Sequence, residues 1–394
     1  MVKVQTNGNG KIYVSPTGGV LLGNDASGDI SGEYLVKVID YDGTILKSDH
    51  LDTGATFTLP SQPSHEGLTF QGWSSPVTIN DNTVVVSNSD ITIGAMYNTS
   101  SGLSEFDITL TKANGLSVTF IADGTKNWGD GTSNTETTHT YSIAGDYTIT
   151  WDGSTMEDTS SYIGLFGQQE ESPNSCVRRI RFSNSVTSIN DGALTRCYSL
   201  ESITIPNSVT SINDGALAHC YLLNNVVIPN SVTTIGRNIF YQCCLLDNVV
   251  IPNSVTSIDS GTFCNCYSLK RVAIPNSVTS INDSSAFRDC HLLESITIPN
   301  SVTYIGDNAF SNCYSLKSII IPNSVTRFGN YAFELCTNIR LYDFSNATSI
   351  PKLIYTATFS DMNSMCKIKV PSSLEESWKT ATNWVAYANH IEGV

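Results

Sequence analysis

The sequence predicts a mostly β chain, with two small β modules at the N-terminal end and then a solenoid closed by a C-terminal helix. Three observations predict it. From Ser183 to Ser345 one phrase is written eight times: Ile-Pro-Asn-Ser-Val-Thr-Ser-Ile, a variable stretch, Phe or Leu, two residues, Cys, two residues, Leu. Before it, short segments alternate apolar and polar residues between Gly- and Asn-rich turns, the period of half-buried strands. After it, apolar residues recur at helical spacing.

Bulk properties narrow the class of partner. A chain of 394 residues is too long for one ordinary core, so several domains are expected. Charged residues are only 14% of it, and the formal net charge of −15 repels phosphate backbones and anionic lipid. Neither nucleic-acid binding nor membrane insertion is expected, and no apolar run is long enough to span a bilayer. The opening Met1-Val-Lys-Val-Gln-Thr-Asn-Gly has no apolar h-region. Neither a signal nor, beyond the helix, an anchor is expected in this chain.

Residues 1–33 surround Asn7-Gly8-Asn9-Gly10, a hairpin signal, and are too few for a core of their own. They suit a docking segment or a frayed end. Residues 34–98 alternate through Leu35, Val36, Val38 and Ile39, turn at Asp42-Gly43, and continue through Phe57-Thr-Leu59-Pro60 and Gly67-Leu-Thr-Phe70-Gln-Gly72-Trp73 to Ile91–Tyr97. This order resembles the Listeria–Bacteroides (internalin B-type) repeat of bacterial surface proteins, with Leu68 where an aromatic is usual. The resemblance implies a β-grasp-like spacer or weak binder. Trp73 reads as a core residue or as an exposed contact.

Residues 104–153 carry Trp128-Gly129-Asp130-Gly131, then His139-Thr140-Tyr141, then Gly145-Asp146-Tyr147-Thr148-Ile149. They resemble a PKD-type, immunoglobulin-like β-sandwich. Asp130 and Gly131 suit a tight turn, and no nucleophile or second acid stands at useful spacing from His139. Residues 154–175 are a polar linker. Residues 176–351 are the solenoid, and residues 352–394 its cap, a strand at Lys367–Val370 and then a helix. There Ser373 and Glu376 have capping-box spacing, and Leu374, Trp378, Ala381, Val385 and Ala388 share one helical face.

The repeat period is 23 residues, with one 24-residue step where Ser284 is extra. A fixed period of this size means stacked turns that are stable only together. Pairs such as Ile203 and Ile205, or Val226 and Ile228, point inward from a short strand. The proline after each pair ends it, because proline can neither donate to a ladder nor let its predecessor turn helical. Val209 and Ile212 begin a second side, and Phe240, Phe263, Phe287, Phe310 and Phe333 plug the third. Asn207 and its counterparts are expected to bond the backbone of their own coil turn. These phrases resemble the BspA-type leucine-rich repeat over residues 176–391, a family common on bacterial surfaces, in some protists and in phage-encoded proteins.

Of eleven cysteines, seven occupy one repeat position, from Cys197 to Cys336. Stacked as small buried groups they are expected to be free thiols. Some disulfides, or a metal, are the alternatives, although the close pairs Cys243-Cys244 and Cys264-Asn-Cys266 lack the further ligands a metal needs.

Two variable columns carry the candidate ligand-binding residues. The outward strand position reads Arg181, Thr204, Val227, Val250, Ala273, Thr297, Ile320, Asp343, apolar at Val227, Val250 and Ile320. The position after each cysteine holds Tyr198, Tyr221, Tyr267 and Tyr314, a row of rigid amphipathic rings favoured in contact surfaces. The plain alternative is that tyrosines cover the coil edge and valines merely suit strands. No catalytic motif, cofactor fingerprint or metal-spaced cluster occurs, so neither an enzyme nor a cofactor is expected. The expected function is non-enzymatic recognition at a cell surface or outside the cell, with a protein or glycan on a host or bacterial surface as partner. A phage virion component, docked to virion proteins through residues 1–33, is the alternative.

Overall fold

The computed structural model describes residues 34–86, 89–110, 117–154, 166, 176–281 and 284–394. The expected docking segment, residues 1–33, and nearly all of the expected linker lie outside them. The first module is built from β1 (Tyr34–Ile39), β2 (Ile45–Leu51), β3 (Thr56–Thr58), β4 (Leu68–Ser74), β5 (Thr83–Val85) and β6 (Ile91–Thr99). Its main sheet has the order β2-β1-β6-β4, with β1 and β6 parallel at the centre and antiparallel strands outside. Val36, Val38, Phe57, Val84, Ile91 and Ile93 make its core. Trp73 packs half-buried against that core, edge-on to Phe70 at 5.1 Å.

The second module comprises β7 (Ser104–Leu110), β8 (Ser117–Thr119), β9 (Lys126–Asn127), β10 (Ser133–Asn134), β11 (Thr138–Thr140) and β12 (Gly145–Trp151). Its sheet does not stop at the module. β7 also pairs with β13 (Val177–Arg181), which runs parallel to Ser202–Thr204 of the first full turn, giving six strands in one sheet. The core is equally continuous, from Phe106 and Trp151 through every turn to Ile391. The module is therefore the solenoid's N-terminal lid. Turn chemistry accounts for its motif: His139 stacks on Trp128 and bonds Asp130 at 2.7 Å, and Tyr141 donates to the Trp128 carbonyl.

From Ser202–Thr204 to Lys352–Leu353 each solenoid turn contributes a three-residue strand, a two-residue strand and a hydrogen-bonded third side. Phenylalanines stack in that side, with ring centroids 5.2 Å apart for Phe263–Phe287 and 5.3 Å for Phe287–Phe310 and Phe310–Phe333. The residue before each of the seven ladder cysteines, from Arg196 and His219 to Asn312 and Leu335, has positive φ. That left-handed corner sends the cysteine inward and the next residue outward.

Two local expectations are corrected. It is the serine of the Asn-Ser-Val phrase that satisfies the coil turn: Ser208, Ser231 and Ser277 each donate to the valine carbonyl of the previous turn at 2.6 Å. The C-terminal helix is also shorter than its apolar spacing suggested. α1 spans only Glu375–Thr380, and no side chain caps it. Ala381 is extended and Asn383 left-handed, so Trp384 and Tyr387 turn inward from a 3-10 segment, while Val385 is exposed. Ile391–Gly393 then joins the stack beside Lys367–Val370.

Candidate recognition surfaces

The tyrosine column forms as its spacing required. Tyr198 stacks on Tyr221 at 4.9 Å, and Tyr267, His291 and Tyr314 make a second stack at 4.9 and 5.0 Å, with Cys244 between the two. Tyr221, Tyr267 and Tyr314 each expose between 37 and 38% of their surface, whereas Tyr198 is half-buried. Beside them stand Leu222, Leu245 and Leu292, exposed by 40 to 47%. Sequence reasoning missed these leucines. The signal was available: the second position after the cysteine reads Ser199, Leu222, Leu245, Ser268, Leu292, Ser315 and Asn338, so leucine stands there in three repeats.

The outward strand column divides differently. β6 lies across Ser202–Thr204, Asn225–Val227, Asn248–Val250 and Arg271–Ala273. Val227 and Val250 are buried there, in a small cluster with Ile39 and Met96. The expectation that they face a ligand is corrected: the surface they meet is the chain's own first module. Ile320 lies beyond that module and is 55% exposed.

Polar groups hold the docking in register. Asn230 donates to the Trp73 carbonyl at 2.9 Å, and Asn207 to the Gln71 carbonyl at 3.2 Å, while the Gln71 side chain bonds the Asn207 N–H. Asn225 donates to the Tyr41 carbonyl, and Lys37, its pKa lowered by burial, donates to Asn248. Asp90 pairs with Arg271 at 2.7 Å. Two of the asparagines expected to serve their own turn, Asn207 and Asn230, thus read another strand's backbone.

Past that ion pair the two bodies enclose a groove of about 730 Å³ between Tyr34 and Asp90 on one side and Ile298, Asn300, Ile320 and Asn323 on the other.

The eleven cysteines are all free thiols, and all but Cys244 are buried. Among the described residues no group of three or more His, Cys, Asp or Glu could hold a metal. No helix among them is long and apolar enough to cross a membrane.

A profile described as the BspA type leucine rich repeat region matches residues 173–292 and 283–381 in six copies, more than half the chain. The chain belongs to this family. Among solved structures, a leucine-rich repeat protein of Bacteroides ovatus is 26% identical, with 59% of this chain and 61% of that one covered at a TM-score of 0.41. A leucine rich cell surface protein of Faecalibacterium prausnitzii is 27% identical, with 54% and 62% covered at 0.35. A leucine-rich repeat protein of T. pallidum is 26% identical, with 46% and 91% covered at 0.37. No curated protein matches. In this BspA-type chain, then, the repeats supply two faces: an aromatic edge open to solvent and a strand face half taken by the first module.

Proposed function

We propose that this BspA-type chain is a non-catalytic recognition protein, displayed at a cell surface, whose solenoid binds a protein or glycan ligand. One observation carries the reading: the strip of Tyr221, Leu222, Leu245, Tyr267, Leu292 and Tyr314 along one solenoid edge. Apolar and aromatic side chains in a row, exposed and rigidified by stacking, are what contact surfaces use, and singly scattered exposed apolar residues would not form such a strip. Rings held by their neighbours lose little conformational entropy on binding.

The test is a titration of labelled chain onto host and bacterial cells and onto protein and glycan arrays. A variant with Tyr198, Tyr221, Tyr267 and Tyr314 all changed to Ala should keep its fold, because the rings lie outside the core. Removing a desolvated contact ring typically costs about 1 to 3 kcal/mol of affinity. Saturable binding that the quadruple variant retains in full would sink the strip as the contact surface.

A further inference from the structure

The asparagine ladder was built once to hold a strand, and its unused end faces an open groove. Asn207 and Asn230, one turn apart, donate their side-chain amides to the carbonyls of Gln71 and Trp73, two residues apart on β4. Two residues of strand advance about 6.6 to 6.8 Å and one solenoid turn about 4.8 Å. Side-chain freedom absorbs that difference over two rungs, and β4 is gripped on two. Further along, Asn300 and Asn323 occupy the same repeat position, both exposed and both without a hydrogen bond among the described residues. They line the groove whose floor is Ile298, Ile320 and Pro322.

We propose that this groove binds a short extended peptide, with two alternate backbone carbonyls on the Asn300 and Asn323 amides and an apolar side chain against Ile320. The inference rests on the recognition function proposed above, but on residues separate from the aromatic strip. Continuity with the module interface supports it. The outward column is covered by β6 at Val227 and Val250, and its next exposed apolar member is Ile320. Charge sets the side chains of the peptide. Among the described residues the only charged ones lining the groove are Asp90 and Arg271, which pair with each other. An uncharged segment is therefore preferred, and its carbonyls, common to every sequence, carry the hydrogen bonds.

The experiment selects a phage-displayed random decapeptide library on the full chain and measures each enriched peptide against three variants. Uncharged peptides should be enriched that lose about tenfold in affinity on N300A/N323A, the effect of two neutral hydrogen bonds. They should also weaken on I320D and bind the four-tyrosine variant as wild type. Thermal melting checks that N300A/N323A is folded. Enriched peptides indifferent to N300A/N323A, an empty selection, or a glycan ligand lost in these variants where no peptide is would each overturn the groove assignment. Binding lost only in the four-tyrosine variant would overturn it too and leave the recognition function standing.

Discussion

Gly94 of β6 lies against Val227 of the solenoid so closely that a Cβ on it would fall on the valine methyls, one of them 2.6 Å away. The contact sits in the middle of the cluster of Ile39, Met96, Val227 and Val250 that joins the first module to the strand face. Interiors packed at this density have no slack for an added methyl.

Gly94→Ala should accordingly loosen the first module without unfolding it, at a cost of about 1 to 3 kcal/mol. Amide exchange in Asn225–Val227 and Asn248–Val250 reads the effect, as faster exchange in the variant. Adding Val227→Ala returns the missing space, so the double variant should be better protected than Gly94→Ala alone. A double variant with strictly additive loss would show that the two residues do not press on each other.

The junction of the second module with the solenoid has its own anchor. Arg181 bonds Glu105 at 2.8 Å and grips Asp107 through both terminal nitrogens at 2.8 and 2.9 Å. Burial pushes the Asp107 carboxyl up, but the hydrogen bonds and charge of Arg181 outweigh it and hold the pKa below the usual carboxylate range. A depressed carboxylate stabilises the fold above its unfolded pKa, near 4, and that contribution is lost as pH falls through the folded value. Arg181→Ala should cost about 2 kcal/mol at pH 7 by leaving two carboxylates unpaired in a part-buried site. Arg181→Lys should recover little, since a point charge cannot reproduce the fork. The deficit should shrink as pH falls below about 4 and Asp107 takes up its proton. Thermal melts from pH 3 to 7 measure it; a deficit that stays constant over that range would show that the ion pairs contribute nothing.

At the other end, Trp378 and Trp384 stand edge-on to each other at 5.3 Å and close over Phe344, 5.3 and 5.6 Å from its ring. Both indoles are buried although the helix between Glu375 and Thr380 is short. Trp378→Ala should cost about 3 to 5 kcal/mol. Removal of residues 367–394 bares Phe344 and Phe359 and should give end-to-end aggregates in light scattering, because solenoid ends need a closed outer face. A monomeric truncation with an unchanged melting temperature would show that these tryptophans do not serve as the lid.

The solenoid was legible because its residues state their environment one by one: proline ends a strand, phenylalanine repeats at the level where rings stack, cysteine repeats where only a small apolar group fits. The apolar run at Val227 and Val250 was legible as an oddity, but its partner was not, because Ile39 and Met96 reach it only through the fold of another module. For the same reason Asn207 and Asn230 read as servants of their own turn. A side-chain amide serves any carbonyl within reach, and nothing in a repeat says whose carbonyl that is. The capping box failed more locally. Ser373 sits inside a 3-10 turn, so it is not the N-cap of the helix, and the helix ends where Ala381 turns extended, so the inward positions pass to Trp384 and Tyr387.

The thiol ladder gives a prediction that spans the whole solenoid. Cys220, Cys243, Cys266, Cys290, Cys313 and Cys336 each direct Sγ at a buried carbonyl of the preceding turn, at 3.1 to 3.4 Å. Burial pushes every one of these thiols up, Cys336 to about 12 and Cys220, Cys266, Cys290 and Cys313 well above the ordinary thiol value. Buried neutral thiols are poor nucleophiles, so a thiol reagent at pH 7.5 should label few cysteines in the native chain and nearly all after denaturation. The pH dependence follows in sign. A folded pKa raised above the unfolded value near 8.5 gives stability that is complete below that value and declines as pH rises toward the folded one. The slope is about 1.4 kcal/mol per pH unit for each thiol. Melting temperature should therefore hold to about pH 8 and fall steeply beyond. Cys243→Ala, Cys266→Ala and Cys290→Ala together should lower stability at pH 7 through lost packing, yet flatten the alkaline decline by removing three of the titrating groups. An alkaline decline just as steep in the triple variant would show that the stacked thiols are not what ties this fold to pH.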